Sequence, residues 1–243
     1  MRYKCIVAYN GQNYHGWAVQ PKQVTIQGLM QDAIKHVFNQ QVKVIGSGRT
    51  DAGVNATGQV VHFDLPDLHV AKNDIAKAIN KVLPYDVKIL SIVKVSDKFN
   101  ARFSAKSKTY RYSINVGKNN PIESSFIYQY NHSIDIKQLK KVSKLFIGKK
   151  NFLSFSTDAK PVESTIRKIN KITIKQIKDI ITIEINGDGF LRSQVRMIVG
   201  CMIAFENNKM SKEEIQSCFA KPKKGACMYK APACGLCLVK VYY

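Results

Sequence analysis

The sequence predicts an α+β fold: two split-βαβ modules, ferredoxin-like in their order, sharing one antiparallel sheet with helices on one face. Three observations lead there. Strand-like and helix-like periods follow one another as β-α-β-β-α-β, and that order recurs in the second half. No low-complexity tract or Pro/Ser-rich linker interrupts the chain. Its 243 residues, 45% hydrophobic, can bury a full core as one large domain or two closely packed halves. The halves are assigned to 1–105 and 106–243.

Tyr3–Tyr9 alternates as a strand. Ile26–Phe38 has apolar residues at 26, 29, 30, 33, 34, 37 and 38, the spacing of an amphipathic helix, with Thr25 as its cap. Val42–Ile45 and Val60–Leu65 are strand-like runs. Lys72–Val82 is helical and ends before Pro84, and Val87–Val95 is a strand. The second half opens on Ser107–Val116, a strand that puts Tyr110, Tyr112, Ile114 and Val116 on one face. Lys137–Phe146 is helical. Ile166–Ile174 and Ile180–Asn186 are strands joined by a short Lys/Gln turn. Phe190–Phe205 reads as a long helix, Lys212–Phe219 as a shorter one, and Gly235–Tyr242 as the closing strand. Side by side, the modules would give a sheet of about eight strands, with a bare face and a cleft open to a long polyanion.

Between the runs at 42–45 and 60–65 lies Gly46-Ser-Gly-Arg-Thr-Asp-Ala-Gly-Val-Asn-Ala-Thr-Gly58. Four glycines permit positive φ and close approach of a ligand to the main chain. Arg49 can hold the Asp51 carboxylate ionised through a charge-assisted pair while its planar fork stays available for a phosphate or a base edge. A hairpin loop of roughly ten residues exceeds the usual two to five, and long loops tend to be functional. The loop is therefore a site candidate.

The chain carries 38 Lys+Arg against 17 Asp+Glu, a formal net charge of +21 and a pI near 9.7. That excess points to a polyanion, nucleic acid before an anionic membrane surface. No run approaches the roughly 18 apolar residues of a membrane span, and no lipidation motif or signal segment is evident, so a soluble, cytosolic protein is expected. Only seven of the basic residues are Arg and 31 are Lys, a supply of sequence-independent attraction to phosphates. Of six cysteines, Cys5, Cys201 and Cys218 sit in apolar runs and read as core. Cys234-Gly-Leu-Cys237 lacks a second C-x-x-C or an H-x₃-H to complete a metal site, and it leads into a strand, so free thiols are expected.

Two further hints lie in the second half. On the helix read from Phe190, Leu191, Val195, Ile198 and Met202 form an apolar stripe, and Arg196 falls at its edge. A guanidinium there either finds an acidic partner or snorkels to solvent. Lys108-Thr-Tyr110-Arg-Tyr112 alternates basic and aromatic residues on a strand, a pattern suited to stacking on an unpaired base and equally at home in a core strand.

The run Gly48-Arg49-Thr50-Asp51-Ala52-Gly53-Val54 resembles the signature loop of the TruA family of tRNA pseudouridine synthases. Four further motifs are similar to that family in the same order: Tyr9-Asn10-Gly11 with Tyr14-x-Gly16-Trp17; Phe99-Asn100-Ala101-Arg102-Phe103-Ser104-Ala105 followed by Tyr110-Arg111-Tyr112; Gly189-Phe190-Leu191 with Val195-Arg196-Met197-Ile198-Val199-Gly200; and Ala231-Pro232-Ala233-x-Gly235-Leu236. The resemblance implies a pseudouridine synthase fold and isomerisation of uridine at tRNA positions 38, 39 and 40. It makes Asp51 the catalytic carboxylate, Arg49 and Arg196 its partners, and Tyr110 a contact to the flipped base. It implies no cofactor or metal, and a homodimer whose tRNA site spans both subunits. The chain departs from the family at Asn55, where His is usual, and at Arg192-Ser193-Gln194, which replaces an aromatic/His pair.

Overall fold

Residue-by-residue alternation near the N-terminus folds as strand β1 (Arg2–Tyr9), which buries Tyr3, Cys5, Val7 and Tyr9 on one face. The computed structural model describes residues 1–67, 71–157 and 163–243. Helix α1 (Ile26–Phe38) starts where the hydroxyl of Thr25 accepts from the Gly28 N–H at 3.3 Å, and it ends at Asn39 in the left-handed region. Strands β2 (Ile45–Gly46) and β3 (Asn55–Asp64) follow, then α2 (Lys72–Val82) and β4 (Val87–Val95). Leu83 takes an extended conformation ahead of Pro84 and stops α2.

The second series begins with β5 (Ser107–Asn115) and β6 (Tyr128–Gln129), the latter paired parallel to β5. Helix α3 (Ile136–Ser143) is capped by Asp135, whose carboxylate accepts from Lys137 N at 2.7 Å. Then come β7 (Gly148–Asn151), β8 (Ile166–Ile177), β9 (Ile180–Gly187), α4 (Gln194–Glu206) and α5 (Lys212–Ala220). A reciprocal capping box between Ser211 and Glu214 starts α5. The chain closes with β10 (Leu236–Tyr242).

Two compact units result, Met1–Lys106 with Leu238–Tyr243 and Ser107–Cys237. The division falls after Lys106, one residue from the expected boundary, and it differs at the C-terminus, where the closing residues return to the first unit. In the first unit the strand order is β4-β1-β3-β10, with β2 attached to β3, and both neighbours of β1 run antiparallel to it. In the second it is β5-β9-β8-β7, all antiparallel, with β6 on β5. The mixed α+β architecture and the mostly antiparallel pairing are those the sequence predicts. A cluster of Phe146, Phe152, Phe155 and Phe219 centres the second unit's core, with the rings of Phe155 and Phe219 4.9 Å apart. Burying each such ring stabilises by roughly 1.5–3 kcal/mol.

Three local readings need correction. Val42–Val44 is not a strand, and β3 begins at Asn55, inside the stretch read as loop. The reason is Gly58: a Cβ there would lie 2.2 Å from the Val239 carbonyl oxygen, so β3 meets the backbone of β10 where an apolar side chain would otherwise have signalled a strand. The long helix starts at Gln194, not Phe190, because Ser193 adopts φ 60°, a left-handed kink at the N-cap. A short strand, β7, was not foreseen: its Gly-Lys-Lys-Asn sequence has no apolar alternation, and it exists by pairing with β8.

Candidate active site

The loop carrying Asp51 is held at several points. Thr50 turns inward, with its hydroxyl 2.9 Å from the Tyr9 hydroxyl on β1 and its carbonyl accepting from Trp17 N at 3.1 Å. Gly16, at φ +85°, lies so close that a Cβ would stand 2.7 Å from that same carbonyl oxygen. Gly11 faces the far end of the loop, where a Cβ would come within 2.1 Å of the Val54 oxygen. The near end is fixed by Ser47, whose backbone N–H donates to Val60 O at 2.7 Å and whose hydroxyl donates to Gln59 Oε1 at 2.8 Å. Gln59 Nε2 in turn donates to Gly48 O at 3.0 Å. Asp51 opens a tight turn, its carbonyl accepting from Val54 N at 3.2 Å, and its side chain is half-buried.

The expected Arg49–Asp51 pair is not formed. Arg49 is exposed and makes no ion pair among the described residues. Thr50, buried, stands between the two in the chain, and a backbone turn begins at Asp51. Arg49 thus presents an unengaged planar fork to solvent beside the Asp51 turn.

In the second unit, Tyr110 lies on β5 opposite Ile185 of β9, 7% exposed, with its ring edge-on to Phe190 at 5.2 Å. Tyr112 is fully buried and donates to Pro232 O at 2.9 Å, and burial pushes its phenol well above the usual tyrosine range. Arg111 points away from these rings and pairs with Glu184, directly across on β9, at 2.7 and 2.9 Å. The basic–aromatic alternation therefore separates onto two faces, and Arg111 serves the sheet.

Arg196 lies in the first turns of α4, half-buried. It exchanges bonds with Ala231: its Nε donates to Ala231 O at 2.9 Å, and its own carbonyl accepts from Ala231 N at 3.0 Å. Gly200, one turn on, lets the 229–230 backbone approach, since a Cβ there would stand 2.8 Å from Tyr229 O and Lys230 N. The Nε of Arg196 is anchored to backbone. Helix α4 is buried nearly all round, beyond the single stripe read from its periodicity. Ahead of it, Gln194 Oε1 accepts from Leu191 N at 2.8 Å, and its Nε2 is buried with no hydrogen-bond partner.

Sequence reasoning missed Gln59, Thr50 and Tyr9 as the holders of the loop. A buried Gln flanked by Gly58 and Val60 was the available signal. Asn55, the departure from the family pattern, is buried and accepts from Gly11 N at 2.8 Å, so this position closes the loop internally. None of the six cysteines is in a disulfide. Among the described residues no cluster of three His, Cys, Asp or Glu could hold a metal ion, and no helix is long and apolar enough to cross a membrane.

Residues 5–104 and 142–243 match the tRNA pseudouridine synthase family. The chain is 44% identical over 243 residues to "tRNA pseudouridine synthase A" of Mycoplasma genitalium, spanning 100% of this chain and 98% of that one. Identity to the protein of the same name is 41% over 245 residues in Malacoplasma penetrans, covering both chains fully. In Limosilactobacillus reuteri it is 33% over 248 residues, covering 100% of this chain and 96% of the relative. With the family matched over both halves, and relatives aligned from end to end, the chain belongs to the tRNA pseudouridine synthase family.

Proposed function

We propose that the protein isomerises uridine to pseudouridine in tRNA, at positions 38, 39 and 40 on the 3′ side of the anticodon stem-loop, with Asp51 as nucleophile. The observation that carries this reading is the Asp51 loop, a half-buried carboxylate on a glycine-rich turn pinned to β1, β3 and the 10–17 turn. A nucleophile needs that immobility. The reaction breaks the C1′–N1 bond and forms C1′–C5; a proton leaves C5 and N1 ends protonated. Atoms and electrons balance within the nucleoside, so the isomerisation requires no redox cofactor or ATP. The base must leave its stack to turn over, and a target near a stem end costs less to unstack than one in the middle.

Asp51 either adds to the base ring or assists chemistry at the sugar ring, and both routes require it ionised. Arg196 is assigned as the cation that favours that form, on the family resemblance and on its fixed Nε. Arg49 is assigned to the substrate, since its exposed fork is not engaged by Asp51. Tyr110 is assigned to the flipped base; its edge-on packing against Phe190 would fix the ring for that contact. The same resemblance makes the protein a cytoplasmic homodimer, and Ile122, 86% exposed, with Phe126 nearby, is apolar surface such an interface would cover.

The test is incubation of pure protein with unmodified tRNA and no additives, followed by mapping of pseudouridine. Asp51→Asn keeps size and most hydrogen bonds but removes the anion, so turnover should vanish while fold and tRNA affinity survive. Retention of more than a few per cent of the rate would rule Asp51 out as nucleophile. Pseudouridine found only in the T-loop, or only in ribosomal RNA, would overturn the positions while leaving the isomerase reading.

A further inference from the structure

Phe103, on the segment joining β4 to β5, is 78% exposed, and the segment that presents it is tightly built. Asn100 Oδ1 accepts from both Arg102 N at 2.9 Å and Phe103 N at 3.1 Å. Asn100 N donates to Ser104 Oγ at 3.0 Å, and Ser104 N returns a bond to Asn100 O at 2.9 Å. The base of the turn is tied to the sheet: Ala101 N donates to His62 Nδ1 on β3 at 3.1 Å, and Ala101 O accepts from the Tyr243 hydroxyl at 2.8 Å. An apolar ring is thus held rigidly in water, on a turn that uses its own side chains to keep it there. The Arg102 guanidinium lies over one face of the ring, 5.3 Å from its centroid.

We propose that Arg102 and Phe103 form a stacking platform for an unpaired base of the RNA substrate, with the Arg102 guanidinium at the adjoining phosphate. This rests on the reading that tRNA is the substrate. Local charge selects the occupant. Lys98, Arg102 and Lys106 lie on or beside the turn, and Lys4 sits beneath it over the rings of Phe99 and Tyr243 at 5.4 and 4.6 Å; the segment's acidic residue is Asp97. An apolar protein surface would have to desolvate these cations without compensation, whereas a nucleotide brings both a π-face for Phe103 and an anion for its neighbours. A rigid aromatic on a cationic surface is the arrangement that binds unpaired bases without reading their identity.

Phe103→Trp tests the platform directly. The natural tryptophan, Trp17, is 3% exposed, so an indole at 103 adds an emission that reports on solvent. Unmodified tRNA should quench it, and a blunt RNA duplex at the same salt should not. Phe103→Ala should weaken tRNA binding about ten-fold with an unchanged melting temperature. Phe103→Leu, apolar but without a π-face, should lose as much. Wild-type affinity in Phe103→Ala, or full rescue by Phe103→Leu, would overturn the platform. So would a change in oligomeric mass in Phe103→Ala with tRNA affinity intact, which would put the ring between copies of the chain. Pseudouridine formation by the wild type is measured alongside. Its absence removes the underlying reading of function; its presence with unaltered Phe103→Ala binding removes the platform alone.

Discussion

His62 shows how one side chain can set a condition on the surface above it. It is 2% exposed on β3, and its Nδ1 accepts from Ala101 N, so the ring is neutral with its proton on Nε2. Burial, reinforced by the positive charge of Arg2, holds its pKa below the usual imidazole range, with Asp64 opposing. Because the folded pKa is depressed, the unfolded chain binds the proton more readily. Stability is therefore full above the unfolded value of about 6.5 and falls as pH drops through it. Protonating Nδ1 also removes the acceptor for Ala101 N. We expect the denaturation midpoint of the wild type to decline between pH 7 and 5 more than that of His62→Gln, which can accept the same bond without titrating. Parallel pH profiles for the two proteins would show that His62 does not titrate on unfolding. Nothing in the sequence marked this histidine, since it lies in the apolar run Val60–Leu65 and its role depends on a partner 39 residues away. The Asp51 loop stood out as a candidate because its glycines and its adjacent arginine and carboxylate are neighbours in sequence; the parts played by Gln59 and Asn55 did not, because each acts on another part of the chain.

Elements with their own start and stop signals were legible residue by residue. The Thr25 cap and the Pro84 stop mark the start of α1 and the end of α2, and local chemistry decides both. Elements defined by a partner were misjudged. Helix α4 starts late because one serine adopts a left-handed conformation, invisible to periodicity, and β3 starts early because a glycine accepts the backbone of β10. The Asp51 loop belongs to this second kind: its sequence announces a site, while its shape depends on the 10–17 turn. Gly16 is the sensitive point, with φ +85° and the Thr50 carbonyl 2.7 Å from where a Cβ would stand. Gly16→Ala should destabilise the protein by roughly 2–4 kcal/mol, adding left-handed strain to a backbone clash. At temperatures where the variant remains folded, kcat should fall further than KM rises if the displaced Asp51 is the nucleophile proposed above. A variant with reduced stability and wild-type kcat would mean that the 10–17 turn supports the fold without orienting Asp51.

Across the whole molecule the dominant quantity is charge. A formal +21 over 243 residues opposes folding through self-repulsion, so so large an excess implies a polyanionic partner. The ion pairs resolved within the units are Arg2–Asp64, Lys77–Asp74, Lys94–Asp67 and Arg111–Glu184, and three of them leave both side chains well exposed, where such pairs contribute little. Lysines at 137, 140, 141 and 144 crowd α3 and its C-terminal end, and those at 168, 171 and 175 line β8. Point charges of this kind attract phosphates without reading bases, so affinity should reside in counterion release. At about six phosphate contacts, tRNA affinity should fall roughly a thousand-fold between 50 and 200 mM salt. Other folded RNAs should compete with the same salt dependence but from a lower affinity, because they share the phosphates and not the fit. The Phe103→Ala loss should differ in kind: a stacking contribution releases no counterions, so its deficit should stay constant in fold terms across the salt range. Fluorescence anisotropy at four or five salt concentrations separates the two contributions in one experiment. A wild-type affinity that changed less than ten-fold over that range would contradict a phosphate-dominated interface and return the lysine excess to a matter of composition.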